Sequence, residues 1–111
     1  MTDNKKVRGA VLELKQALMS YYGNRLNRMI VFGSTAKKTR DQDSDIDVLI
    51  VLNETSEINW IENFNIRKIV LPIELKHDVV FDLKFNNRSI FKKNAANSPF
   101  LEKILVEGVT V

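Results

Sequence analysis

The stretch from Val31 to Leu52, VFGSTAKKTRDQDSDIDVLIVL, limits what this chain can fold into more than any other. An apolar strand runs into the Gly33-Ser34 turn, a basic polar loop follows, and Ser44-Asp45-Ile46-Asp47 opens a second apolar strand. Charge is costly to desolvate, so carboxylates at the mouth of such a strand need compensation. Asp45 and Asp47 are spaced i, i+2, which on a strand sends both to one face. That face needs a cation, and a Gly-Ser turn beside it can hold a phosphate.

Around this stretch the periodicity predicts a small layered domain. Residues 3–22 read as an amphipathic helix, with Val7, Val11, Leu14, Leu18 and Tyr21 on one stripe and Gly23 as its terminator. Lys5, Lys6 and Arg8 sit at the wrong end for the helix dipole, a mild cost. Residues 28–32 form a first strand. Residues 44–52 form a second, nearly continuously apolar after Asp47, as expected of a strand covered on both faces. Residues 58–76 look helical on Ile58, Ile61, Ile66, Ile69, Val70 and Ile73, with a kink or split expected at Pro72. Residues 78–85 alternate, with Val79, Phe81, Leu83 and Phe85 facing one way and Asp78, Val80, Asp82 and Lys84 the other. A turn and short helix follow over 86–96. Ser98-Pro99 starts a last helix, and Val109 to Val111 is a tail that can add a strand. The order is α-β-β-α-β-α-α, an α/β or α+β sandwich with a small mixed sheet, in one domain spanning residues 1–111.

Composition narrows the function classes. A chain of 111 residues with 44% hydrophobic and 28% charged residues is an ordinary globular domain with a single core. No apolar run approaches the roughly 20 residues of a bilayer span, and the polar start is no signal peptide. The absence of cysteine removes disulfides and thiolate metal sites, and cytoplasmic is the expected location. The net charge of +3 hides 17 basic residues scattered among 14 acidic ones, which argues for a solvated surface rather than nucleic-acid binding.

If the third strand lies beside the second, Asp82 joins Asp45 and Asp47. Two carboxylates about 4 Å apart repel by about 4 kcal/mol at an effective dielectric near 20, so three together call for a divalent metal. Oxygen-only ligands favour Mg²⁺ or Mn²⁺, and with one histidine and no cysteine a zinc site is disfavoured. Such a cluster suits two-metal chemistry, in which ions clamp the entering and leaving oxygens of a phosphoryl or nucleotidyl transfer. The Gly33 backbone and the Ser34 hydroxyl can cradle a polyphosphate, and Lys37, Lys38 and Arg40 add positive charge along it. Asp78 rivals Asp82 as the third carboxylate, but its place at the strand mouth suits a capping role. His77, at a helix-to-strand junction, reads as a surface or capping residue. Lys84 shares the face of Asp82, where it either touches phosphate or neutralises the acids.

Gly33-Ser34-X-Ala36, seven residues, then Ser44-Asp45-Ile46-Asp47 resembles the nucleotidyltransferase signature of the DNA polymerase β-like superfamily. Within it the chain most resembles the minimal, single-domain nucleotidyltransferases, over roughly Met29 to Phe85 with a weaker likeness to the C-terminus. The resemblance implies the polymerase β-like nucleotidyltransferase fold. It implies that Gly33, Ser34, Lys37 and Ser44 contact the nucleoside triphosphate, that Asp45 and Asp47 bind two Mg²⁺ ions, and that Asp82 completes the catalytic ion's site and helps deprotonate the acceptor hydroxyl. In the family that it resembles, the attack is in line on the α-phosphate, with pyrophosphate leaving. Many members follow Ala36 with Arg-Gly where this chain has Lys37-Lys38.

Larger relatives carry a second domain for base or acceptor, so here either a partner supplies that surface or the chain dimerises. Small relatives resemble antitoxins encoded beside HEPN-type RNase toxins, some of which transfer AMP from ATP onto the toxin. The leading expectation is therefore a Mg²⁺-dependent nucleotidyltransferase that modifies a HEPN-type toxin as the antitoxin of the pair. The competing readings are a non-catalytic antitoxin acting by contact, and transfer to a small molecule such as an aminoglycoside. A pure scaffold would gain by losing three mutually repelling carboxylates, which argues against the first.

Overall fold

The computed structural model describes residues 5–32, 45–53, 60–88, 99 and 108–111, and the architecture is stated for these. Helix α1 (Lys5–Tyr22) leads through a 3-10 turn, Gly23–Arg25, into β1 (Leu26–Phe32). Then come β2 (Ile46–Leu52), α2 (Trp60–His77), β3 (Phe81–Asn87) and the short β4 (Val109–Thr110). The expected terminator works as read: Gly23 has φ +57°, a left-handed conformation that glycine adopts without steric cost. Of the turn and short helix expected over 86–96, Asn86 and Asn87 instead continue β3 and Arg88 is helical, and of the last helix Pro99 is described and helical; the rest of those two readings lies outside the described residues.

The four strands form one mixed sheet in the order β3-β2-β1-β4. β2 is antiparallel to β1 and parallel to β3, while β4 pairs antiparallel with β1. A parallel neighbour requires a crossover, and α2 is that crossover. At the far end of the β1–β2 ladder Asn53 closes the hairpin. Its N–H donates to Arg25 O at 2.7 Å, its amide donates to Asn24 O at 2.8 Å, and it accepts from Asn27 at 3.0 Å. A polar break in the sequence thus fixes where β1 and β2 part.

The sheet has two unlike faces, and period-two alternation decides which residue meets which. Met29, Val31, Ile46, Val48, Ile50 and Leu52 face the helices and pack with Val7, Val11, Leu14 and Leu18 of α1 and Ile66 and Val70 of α2. Ile30, Phe32, Leu49 and Val51 form a second apolar cluster on the opposite face. β2 is therefore buried on both sides, as its composition suggests. Asp47 alternates with Leu49 and Val51, which puts it on the face away from the helices.

Several local expectations change: β1 begins at Leu26 rather than Arg28, β2 begins at Ile46 with Asp45 outside the strand, and β3 runs on to Asn87 rather than ending at Phe85. α2 continues through Pro72 to His77; Pro72 is exposed, so the hydrogen bond it removes lies on the solvent side. Ile61 is 52% exposed rather than part of the buried stripe, which runs through Ile66, Val70 and Ile73. β3 begins at Phe81, not Asp78: Asp78 sits in the turn after α2 with φ +53°, a conformation Asp tolerates better than most residues. Among the described residues no helix is long and apolar enough to cross a membrane.

Candidate functional site

Strand register brings the predicted acids together. Asp47 of β2 is the direct partner of Asp82 on β3, in an unbroken parallel ladder from Ile46↔Phe81 to Leu52↔Asn87. Neighbouring strands lie about 4.8 Å apart, so the two carboxyl groups stand side by side on the face away from the helices. Asp45 precedes β2 and is exposed at its mouth, two residues from Asp47. The electrostatics record the crowding: partial burial, then the charge of Asp82 and a hydrogen bond shared with it, hold the Asp47 carboxyl above the usual carboxylate range. Lys84 opposes this rise and Asp45 adds to it. Lys84 lies two residues along β3, on the same face, with Nζ 3.8 Å from Asp82 Oδ2.

What sets Asp82 at this height is a residue the sequence reading passed over. Glu74 of α2 is buried, and its Oε2 accepts the Phe81 backbone N–H at 2.8 Å while Oε1 accepts from Arg67 at 3.0 Å. Glu74 O also accepts the Val79 N–H at 3.0 Å, and Val80 O accepts the Ile46 N–H at 2.8 Å. These bonds pin the first residue of β3 to the helix and align it with the start of β2. The signal was present: Glu74 falls four residues after Val70 and beside Ile73, on the apolar stripe, where an acid must have partners.

Asp78 and His77 take structural places. Asp78 is almost fully exposed and its Oδ2 accepts from Lys6 at 3.2 Å, so the misplaced basic charge at the start of α1 has a partner. His77 Nε2 stands 3.0 Å from Glu13 Oε2 on the helix layer, away from the acidic face, and Lys76 bonds the same carboxylate at 2.7 Å.

Gly33, Ser34, Lys37 and Ser44, the residues expected at the triphosphate, lie outside the described residues, as do Lys38 and Arg40. Among the described residues no three acidic or histidine side chains converge closely enough to hold a metal ion as they stand. The chemistry of the acidic face still fits a hard divalent cation. Its acids, Asp45, Asp47 and Asp82, offer oxygen donors, and burial first, then the neighbouring charge of Asp82, raises the Asp47 carboxyl despite Lys84. A groove of about 420 Å³ flanks the same strand on the helix side, lined by Ile66 and Arg67 of α2, by Phe81, Leu83 and Phe85 of β3, and by Asp82. Asp82 is common to the groove and the acidic face.

The chain matches known proteins along nearly its whole length. The sequence model of the nucleotidyltransferase domain covers residues 11–109. A protein of Methanocaldococcus jannaschii named as protein adenylyltransferase MJ0141 is 32% identical over 101 residues, which is 91% of this chain and 94% of the relative. A second from that organism, named likewise and numbered MJ0604, is 30% identical over 99 residues, 89% of this chain and 91% of the relative. Among solved structures, a toxin-antitoxin with AMP-PNP superposes with a TM-score of 0.55 at 15% identity, over 96% of this chain and 72% of that one. A mutant of the toxin-antitoxin MntA-HpeT gives 0.54 at 15% identity, over 94% and 70%. At that identity the likeness speaks for the fold.

Proposed function

We propose that this chain, which belongs to the nucleotidyltransferase domain family and is a nucleotidyltransferase, transfers AMP from ATP to a hydroxyl of a partner protein. The observation that carries this is the Asp47–Asp82 pairing in register, with Asp45 two residues away, on a sheet face where Asp82 raises the Asp47 carboxyl. Support for AMP and for a protein acceptor comes from two relatives that are named as protein adenylyltransferases and from a fold neighbour crystallised with AMP-PNP. A HEPN-type toxin is our candidate acceptor, because that neighbour is a toxin-antitoxin.

In this reading Asp45 and Asp47 hold two Mg²⁺ ions and Asp82 completes the site of one. The ions supply charge neutralisation at the α-phosphate and at the leaving pyrophosphate. Gly33, Ser34, Lys37 and Ser44 grip the triphosphate. Asp82 accepts the proton of the acceptor hydroxyl, and Lys84 balances charge beside it. The ladder to β2 and the Glu74 anchor keep Asp82 in place, so the geometry is fixed before substrate arrives.

The test is direct transfer. The protein is incubated with α-labelled ATP, CTP, GTP or UTP, Mg²⁺ or Mn²⁺, and the product of the neighbouring gene, beside Asp45→Asn and Asp47→Asn. Label from ATP on the partner, lost in both variants, is the expected result. Suppression of a toxic partner with no nucleotide transferred, in wild type and variants alike, would remove the catalytic reading. Label confined to a small molecule would remove the protein acceptor.

A further inference from the structure

We infer that the acceptor is an extended peptide segment that adds to the outer edge of β3 and carries apolar side chains on both sides of the hydroxyl residue. The inference rests on the transfer reading above and names the form its acceptor takes.

β3 is an edge strand among the described residues, with β2 on one side only. The direction of its free groups follows from two hydrogen bonds. Val80 O points at β2, where it accepts from Ile46, so the N–H of the same peptide unit, on Phe81, points away, to Glu74. Alternation then turns the N–H and C=O of Asp82 and Lys84 toward β2, and those of Leu83 and Phe85 outward. The ladder to β2 has no register shift that would interrupt this alternation. The outer edge thus offers donors and acceptors to a further strand, the recognition mode in which main-chain bonds give affinity and alternate pockets give specificity.

The side chains of such a strand meet two different surfaces. On the helix side lies the groove floored by Ile66, Phe81, Leu83 and Phe85, with Arg67 at its wall. On the other face lie Asp82 and Lys84, next to Asp47. A peptide residue opposite Asp82 points to the Asp82 face, with its Cβ about 5 Å from that of Asp82. A hydroxyl there reaches hydrogen-bond distance of the carboxylate. Its two neighbours point the other way, into the groove, where they meet the apolar Ile66, Phe81, Leu83 and Phe85 beside the polar Asn63 and Arg67. The hydroxyl oxygen then bonds the α-phosphorus of ATP as the bond from that phosphorus to pyrophosphate breaks. The proton passes to Asp82, and pyrophosphate leaves.

Synthetic nine-residue peptides with one central Ser, Thr or Tyr test this, incubated with the full chain, Mg²⁺ and labelled ATP. Valine or phenylalanine on both sides of the hydroxyl should raise kcat/KM about tenfold or more over the same composition with glycine or aspartate there. Backbone N-methylation provides a second readout. Methylating alternate nitrogens in one phase should abolish labelling, and in the other phase leave it, because only one phase faces β3. Indifference to the flanking residues, or an equal effect of the two phases, overturns the inference. Label on the partner protein but on no peptide overturns it too, and leaves the transfer reading standing. If ATP binds yet neither partner nor peptide is labelled, the transfer reading itself falls.

Discussion

Two groups of acids lie on opposite sides of this sheet, and they are held in opposite ways. On the helix side the described acids have cations: Glu13 meets Lys76 and His77, Asp78 meets Lys6, Glu74 meets Arg67 and Glu62 meets Arg25. On the other side Asp47 has chiefly Asp82, and Lys84 Nζ stands 3.8 Å from Asp82 Oδ2. The proton affinities follow. The hydrogen bond from Lys76, aided by His77, holds the Glu13 carboxyl below its ordinary value, whereas burial and Asp82 hold Asp47 above its own. The acids of the helix layer are neutralised within the fold, whereas Asp47 is set against Asp82, the kind of perturbed pair that clusters at functional sites.

Substitutions can break this contrast, and the largest effect belongs to Asp47→Asn. Nucleotide transfer should fall by at least about 100-fold, read with labelled ATP, since the proposed site would lose one of its metal-holding carboxylates. The same variant should be more stable than wild type in metal-free buffer at neutral pH, because it removes a repelling charge. An equal or lower urea midpoint would show that Asp47 is neutralised in a way the register does not reveal.

Glu74→Ala comes next. It strips the Phe81 N–H and Arg67 of their partner inside the fold, and should cost about 1–3 kcal/mol in urea denaturation. Transfer should drop as well, through displacement of Asp82, while Glu74→Gln restores part of both by still accepting the Phe81 N–H.

A pH series sharpens the comparison further. A carboxyl whose folded pKa is raised gives stability that is full below its unfolded pKa and is lost as pH rises through the folded pKa. Metal-free wild type should therefore lose stability relative to Asp47→Asn from the ordinary carboxylate range upward. Mg²⁺ should restore that loss at neutral pH in wild type and have less effect in the variant. Thermal melts with and without Mg²⁺ check both signs. Glu13 runs the other way: its lowered pKa gives stability present above the unfolded value and lost as pH falls through the folded one. Glu13→Gln should lower the melting midpoint slightly at neutral pH, by less than Glu74→Ala, and the gap should close in acid.

Much of this was legible in the chain. The continuous apolar run after Asp47 marks a strand covered on both sides, whereas the Asp45-Ile46-Asp47 spacing assigns both carboxylates to one face only where the strand includes Asp45, and β2 begins at Ile46. The Asp82 phase was legible too, because alternation alone separates it from Phe81 and Leu83. The start of β3 was not. Val79 and Val80 fit the alternation as well as Phe81 does, and only the bonds from Val79 and Phe81 to Glu74 show that the chain is still turning there. The outer face of α2 was misread for a related reason. Ile61 has the right chemistry and the wrong angle, which no window of hydrophobicity separates from Ile66 without knowing where the sheet lies.

The sequence by itself determined which side chains share a strand face, since a period of two is a property of the backbone and needs no partner. It also determined the chemistry of the site, through the residue types it places at Asp45, Asp47 and Asp82. Tertiary structure decided which strand became the neighbour of β2. Asp47 and Asp82 are 35 positions apart, and their meeting depends on the α2 crossover and on a parallel register that begins at Ile46↔Phe81. That register is a product of long-range packing and of one buried acid, Glu74, so it belongs to the fold and to no local stretch of chain.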